Sequence, residues 1–216
     1  MIRIIFLVIS QALLLSACQL SSLTSSFFET PSGAVLYQDN FSDPSSGWEN
    51  YYDNASGTMD YFDGFFRIQV LGEYQMLSKG PGLDFTDVHL DADMIKVIGL
   101  SDDMFGLVCR AMDPENYYFF VISSDGYYGI GKMIDGEQSI LNSPGMLPSE
   151  IISQGKTKNH LRADCIAEQL VLSVNGRELI SAVDFDLSRG DVGILAGTLK
   201  DTENVVLFDN FSVTNP

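Results

Sequence analysis

The amino-acid sequence predicts an all-β protein, built as a two-sheet antiparallel sandwich, and three observations carry that reading. After residue 34 no stretch keeps apolar residues at helical spacing for three turns. Short segments instead alternate apolar and polar residues, the period of a half-buried strand. Between them stand Asp-Gly at 63–64, 125–126 and 135–136 and Asn-Gly at 175–176, dipeptides that tolerate the positive φ of tight hairpin turns. About a dozen short strands without helices must bury their apolar faces sheet against sheet.

The elements follow in order. "MIRIIFLVISQALLLSAC" opens with Arg3, continues through an apolar run from Ile4 to Leu15, and ends in "LSAC". That run is too short to span a bilayer comfortably, so residues 1–17 read as a secretion signal. "LSAC" also matches the bacterial lipobox, in which the cysteine thiol takes a diacylglycerol and becomes the mature N-terminus. An ordinary signal peptide with a chance cysteine is the alternative. Signal, small residues and cysteine fall in register, so Cys18 is expected to be lipidated and the protein to be an extracytoplasmic lipoprotein on a bacterial membrane. Residues 18–34 are rich in Ser and Thr, lack a sustained period, and read as a tether reaching about 20 Å as a flexible coil. Phe27 and Phe28 are unusual in such a tether.

Residues 35–216 suit one domain with a sizeable core. Strands are expected near 35–41, 58–62, 65–71, 74–79, 88–98, 105–112, 159–166, 190–197 and 204–213. "QLVLSV-NG-RELISAV" (169–183) is the clearest hairpin, and "YYFFVISS-DG-YYGIGKMI-DG-EQSIL" (117–141) reads as three consecutive antiparallel strands.

Charge narrows the partners. The formal net charge is −17, which repels the phosphates of nucleic acids and anionic lipids. Neutral glycans, cationic partners and calcium remain compatible, and so does plain solubility outside the cell.

Period-two reading sorts the strand faces. Phe66, Ile68 and Val70 oppose Arg67 and Gln69; Val88, Leu90, Ala92 and Met94 oppose His89, Asp91 and Asp93. Phe105, Leu107, Cys109 and Ala111 oppose Arg110, and Leu161, Ala163 and Cys165 oppose His160, Arg162 and Asp164. With Cys18 assigned to lipid, Cys109 and Cys165 remain as a pair on core faces, either a disulfide or two small buried hydrophobes. Arg67, Asp91, Asp93, Arg110, Arg162 and Asp164 would share one polar sheet face if their strands are neighbours. Planar charged groups beside tyrosines suit sugar recognition, and an ion-pair lattice is the equal alternative.

In 117–122 both faces are apolar, so this strand is central, its second face covered by loops or lining a groove. Parity with Arg110 assigns Phe119 and Val121 to the core. It assigns Tyr118, together with Tyr128, to a groove lined by Arg110 and Arg162. Trp48, the sole tryptophan, reads as a core plug under a loop.

"YQDNFSDPSSGW" (37–48), "DYFDGFFRI" (60–68), "FGLVCRAMDPENYYFFVISSDGYYGIGK" (105–132), "NHLRADC" (159–165) and "GDVGILAG…VLFDNFSV" (190–213) together resemble the concanavalin A-like lectin/glucanase superfamily. The likeness is to laminin-G-like jelly rolls on bacterial surface lipoproteins, with the 3-keto-disaccharide hydrolase domain as a related branch. The resemblance implies a jelly roll whose first and last strands pair, with a structural calcium beside them. Asp39 and Asp209 are the carboxylates at those positions, and caps of strand ends or turns are their other reading. Calcium wants six to eight oxygens, so carbonyls and water would complete the set.

The superfamily's glucanases carry an E-x-D-x-x-E strand, which this sequence lacks; its nearest fragment is "DADMIK" (91–96). Neither a GxSxG nor an HExxH motif occurs, and no catalytic residue is assigned. The leading expectation is a membrane-tethered, non-catalytic carbohydrate-binding module. A protein-binding adhesion, sensor or scaffold domain is the second, and a glycoside hydrolase of the related branch the third.

Overall fold

The computed structural model describes residues 30–200 and 203–216. The signal-like segment, Cys18, Phe27 and Phe28 lie outside the described residues. Sixteen strands form two antiparallel sheets, without a helix among the described residues.

In spatial order the larger sheet is β14 (Arg177–Val183), β13 (Gln169–Val174), β12 (Asn159–Ile166), β6 (Val88–Ile98), β16 (Asn204–Thr214), β4 (Phe65–Val70), β3 (Gly57–Phe62) and β2 (Tyr51–Asp53). The first strand, β1 (Val35–Asp39), pairs with the far half of β16. The smaller sheet is β10 (Glu137–Ile140), β9 (Tyr127–Ile134), β8 (Asn116–Ser123), β7 (Met104–Asp113), β15 (Asp191–Gly197) and β5 (Met76–Lys79), with β11 (Leu147–Pro148) also on β9. This is the jelly-roll sandwich that the alternation and the turns imply. β2 and β11 were not expected; three and two residues are too short to show a period.

The turn dipeptides behave as their chemistry requires. Asp63-Gly64, Asp135-Gly136 and Asn175-Gly176 hold both residues at positive φ, which joins strands in a two-residue hairpin. At 124–126 only Gly126 is left-handed (φ 95°), giving a three-residue connection between β8 and β9.

The main core lies between the sheets. Phe66, Ile68, Leu90, Met94, Leu161, Leu172 and Phe208 of the larger sheet meet Phe105, Leu107, Phe120, Ile122 and Ile194 of the smaller. Trp48 plugs one end, edge-on to Phe41 and Phe211, its indole N–H donating to the Tyr37 hydroxyl at 2.8 Å. Cys109 of β7 and Cys165 of β12 form a disulfide across the two inner faces, with Cα atoms 6.8 Å apart.

A second apolar layer covers the outer face of the smaller sheet. Met104, Val108, Tyr117, Phe119, Val121 and Leu195 are buried there, flanked by Met76, Met133, Ile140 and Met146. Phe119 pairs with Gly131, where a Cβ would stand 2.2 Å from the Phe119 ring. Glycine at 131 lets that ring lie flat across the neighbouring strand. β8 is therefore buried on both faces, as its sequence implies.

Candidate functional site

The polar face predicted from sequence forms on the larger sheet, and its charges pair with one another. Asp91 lies opposite Arg162, Asp93 opposite His160, and His89 opposite Asp164 in the β6–β12 register. His89 Nδ1 stands 2.6 Å from Asp164 Oδ1, to which Arg162 Nε donates at 2.9 Å. Arg162 Nη1 also donates to Asp91 Oδ2 at 3.4 Å, and His160 lies 3.2 Å from Asp91 and 3.0 Å from Asp93. Lys158 and Asn210 complete the ladder on Asp93 Oδ2, each at 3.0 Å.

The electrostatics follow from that ladder. Hydrogen bonding to Asp91, then to Asp93, raises the His160 imidazole above its ordinary value despite burial. Burial works to raise Asp93, but hydrogen bonds from Asn210, His160 and Lys158 outweigh it and hold the carboxyl below its usual range. Arg67 stands apart on β4, in a two-point pair with Asp60 and with its guanidinium 4.4 Å from the Phe62 ring centroid. None of the clefts described below is lined by Arg67, Asp91, Asp93, Arg162 or Asp164. Of the two readings of this face, the geometry is that of an ion-pair lattice.

The groove expected from Tyr118, Tyr128, Arg110 and Arg162 does not form, because Tyr118 and Tyr128 turn to the inner face and Arg110 lies in a bulge. Arg110 adopts φ 52° and the β7–β8 register shifts between Cys109 and Asp113. Against β15 one extra residue stands in β7 between Val108 and Ala111, which exchanges the β7 faces beyond it. Tyr118 pairs with Cys109, so it shares the inner face and is fully buried, while Ala111 moves to the outer one. Its hydroxyl donates to Asp184 at 2.6 Å and accepts from Leu187 N at 3.0 Å; burial, then that bond to Asp184, pushes it up to about 12. Tyr128 packs on the inner core, opposite Ile122.

Arg110 is itself buried, its guanidinium donating to Thr86 O, Leu187 O and Asp87. It fastens the connection after β14 and reaches only a small cleft of about 260 Å³, whose lining includes none of the residues of the Arg162 lattice. Phe119 and Val121 are buried as expected, but in the outer layer, not between the sheets.

The calcium pair does not converge either. Asp39 pairs with inward-facing Phe211, and its carboxylate accepts from Phe41 N at 2.7 Å and Ser46 Oγ at 2.5 Å. Asp209 pairs with Asp93 on the outer face, beyond a bulge in β16. Two carboxylates on opposite faces do not fit one cation. Among the described residues no group of three or more His, Cys, Asp or Glu side chains could hold a metal ion.

A different site emerges at the open side of the smaller sheet's outer face. A cleft of about 490 Å³ runs across β5, β15 and β7, lined by Tyr51, Met76, Lys79, Met112, Tyr117 and Asp191 among others. A second of about 460 Å³ shares Ala111, Met112 and Asp191 with it and continues past Arg189, so the two form one track. Tyr51 is 38% exposed and Met112 65%, apolar surfaces held open to solvent.

Tyr117, by contrast, is only 4% exposed; burial pushes its hydroxyl up to about 12, and that hydroxyl makes no hydrogen bond among the described residues. Asp191 organises the rim by accepting from the N–H groups of Gly82, Leu83 and Val192 at 2.9, 3.0 and 2.9 Å. Its burial raises the carboxyl above the usual range, the three N–H bonds opposing. Sequence reading missed Tyr51, Tyr117 and Asp191. The doubly apolar 117–122 run was the available signal, and parity gave its groove to the wrong face.

No protein-family model and no curated protein sequence matches the chain. Solved structures share the fold. The carbohydrate-binding module CBM66 from Bacillus subtilis superposes with a TM-score of 0.64 at 18% identity, covering 78% of this chain and 96% of that one. A Bacillus subtilis protein of unknown function with a galectin-like fold gives 0.62 at 13% identity, covering 86% and 97%. The GH43 protein BlXynB from Bacillus licheniformis gives 0.60 at 16% identity; 83% of this chain matches 39% of that one.

Proposed function

We propose that this chain is a non-catalytic carbohydrate-binding module that takes a neutral glycan along the track on the smaller sheet's outer face. The observation that carries the proposal is the Tyr117 hydroxyl, which has no protein partner among the described residues and belongs to a residue lining an open cleft. That hydroxyl faces the cleft's solvent, and a ligand hydroxyl can take the place of the water it meets there. Tyr51 and the methionines offer the apolar surface on which a pyranose face packs, and Lys79 and Ser78 offer polar groups at the edge. The net charge of −17 favours an uncharged ligand. The likeness to CBM66 supports a carbohydrate ligand, and the continuous track suits a polymer. Titration with neutral oligosaccharides tests the reading: saturable binding that weakens in Tyr51→Ala is the expected result. No binding across a panel of neutral glycans overturns it.

One observation favours a protein partner instead, the exposure of Met112 beside Leu83 at the same rim. Adaptable methionines suit protein surfaces as well. In both readings the module sits outside the cytoplasm, carried by lipid on Cys18 and the 18–34 tether. Cys18→Ala is expected to abolish lipid labelling, and a mutant that is still processed and retained on the membrane contradicts that anchor.

A further inference from the structure

Where β6 leaves the larger sheet and β16 enters it, a lysine, an aspartate and an asparagine are buried together. The alternation that puts Met94 in the core puts Lys96 at the next inward position, 4% exposed. Lys96 lies opposite Val206, two residues from Asn204. Its Nζ donates to the carbonyl of Leu100, whose N–H donates to Asp103 Oδ2 at 2.8 Å. Asp103 and Asn204 are both fully buried.

Asn204 Nδ2 donates to Gly197 O at 2.9 Å and Met104 O at 3.3 Å, whereas its Oδ1 has no partner among the described residues. A Cβ on Gly99 would stand 2.8 Å from Asp103 Oδ2 and 2.9 Å from Asn204 Oδ1. Acid and amide oxygens thus converge one residue from the carbonyl that holds the lysine. Burial lowers the Lys96 amine below its ordinary value, against the pull of Asp103, Asp102 and Asp125. A plain ion pair between Lys96 and Asp103 would leave the Asn204 carbonyl as a buried orphan, which is costly.

We propose that Lys96 and Asn204 join in an intramolecular isopeptide bond, with Asp103 as the proton carrier. Asp103 takes one proton from the Lys96 ammonium, leaving a neutral amine. The protonated carboxyl then donates a hydrogen bond to Asn204 Oδ1, the donor that oxygen lacks, and polarises the carboxamide carbon. The Nζ lone pair attacks that carbon and forms the new C–N bond. The Cγ–Nδ2 bond breaks, and Nδ2 leaves as ammonia after taking the second Nζ proton through Asp103. No oxidant or cofactor is needed. The product is a secondary amide that ties β6 to β16 at the end where neither the disulfide nor the β1–β16 pairing reaches. Such a link suits a module exposed outside the cell, and it stands independently of any ligand.

Peptide mapping of the folded full-length protein, reduced and digested with trypsin, tests the bond. The expected result is no cleavage after Lys96 and one branched peptide joining the Lys96 and Asn204 segments, lighter than their sum by one ammonia. Asp103→Asn, which keeps a buried polar group of the same shape, is expected to yield the two peptides separately. Separate, full-mass peptides from the folded wild type overturn the proposal. So does a branched peptide from folded Asp103→Asn.

Discussion

The two sheets turn opposite chemistries outward. On the larger, eight side chains form a ladder from Lys158 and Asn210 through Asp93, His160, Asp91 and Arg162 to Asp164, with His89 at the end, and each carboxylate in it already holds its donors. On the smaller, an apolar layer is packed to full burial in the middle and opens at one side into a track floored by a tyrosine hydroxyl without a partner. A polar face rich in charge looks more like a binding site on paper. Yet the charges there satisfy one another, and displacing them would cost the ligand what it gained. A polar group that the protein leaves open in a largely apolar cleft carries more information than a dense set of satisfied ones.

That contrast can be broken at its deepest point first. Phe119→Ala removes the ring at the centre of the smaller sheet's outer layer and is expected to cost about 3–5 kcal/mol, as for other buried aromatics. Denaturant unfolding measures it; a loss under about 1 kcal/mol would mean the layer is merely surface. Reducing the Cys109–Cys165 bridge, which fastens the two sheets, is expected to cost about 4 kcal/mol in the chain-entropy picture for a separation of 56 residues. An unchanged unfolding midpoint with and without reductant would contradict it.

The ladder should respond much more weakly. Arg162→Ala is expected to cost less than about 1 kcal/mol, because the pair is solvent-accessible and screened. A loss comparable with that of Phe119→Ala would make the polar face the structural one. The smallest effect is a pH dependence. His160 is raised above 6.5 by Asp91 and Asp93, so its contribution is fully present below 6.5 and fades as pH rises through the folded value. Melting temperature in the wild type should therefore fall over that window relative to His160→Gln. Parallel curves would show that the imidazole is not held by those carboxylates.

Much of the fold was legible because its determinants are local. Asp63-Gly64, Asp135-Gly136 and Asn175-Gly176 mark their hairpins by backbone chemistry alone, and the alternation in 88–98 fixes an entire strand and its faces. The site was not legible because it depends on cross-strand pairing and on one residue's backbone. Arg110 in a left-handed conformation shifts parity along β7, and nothing in "LVCRAMD" announces that an arginine will take the position glycine usually fills. Tyr118 is inward because it pairs with Cys109, and the doubly apolar 117–122 run carries no local sign of which of its faces that is. The convergence of Lys96, Asp103 and Asn204 was equally hidden, since it joins β6 to a strand that begins a hundred residues later along the chain.

Isothermal titration of one neutral oligosaccharide into the wild type, Tyr117→Phe and Arg162→Ala decides between the track and the ladder as the ligand's seat. Removing a single hydroxyl bond should weaken binding by up to about tenfold in Tyr117→Phe. Arg162→Ala should bind as the wild type does. Binding that survives Tyr117→Phe unchanged but fails in Arg162→Ala would put the ligand on the ion-pair ladder and contradict the account.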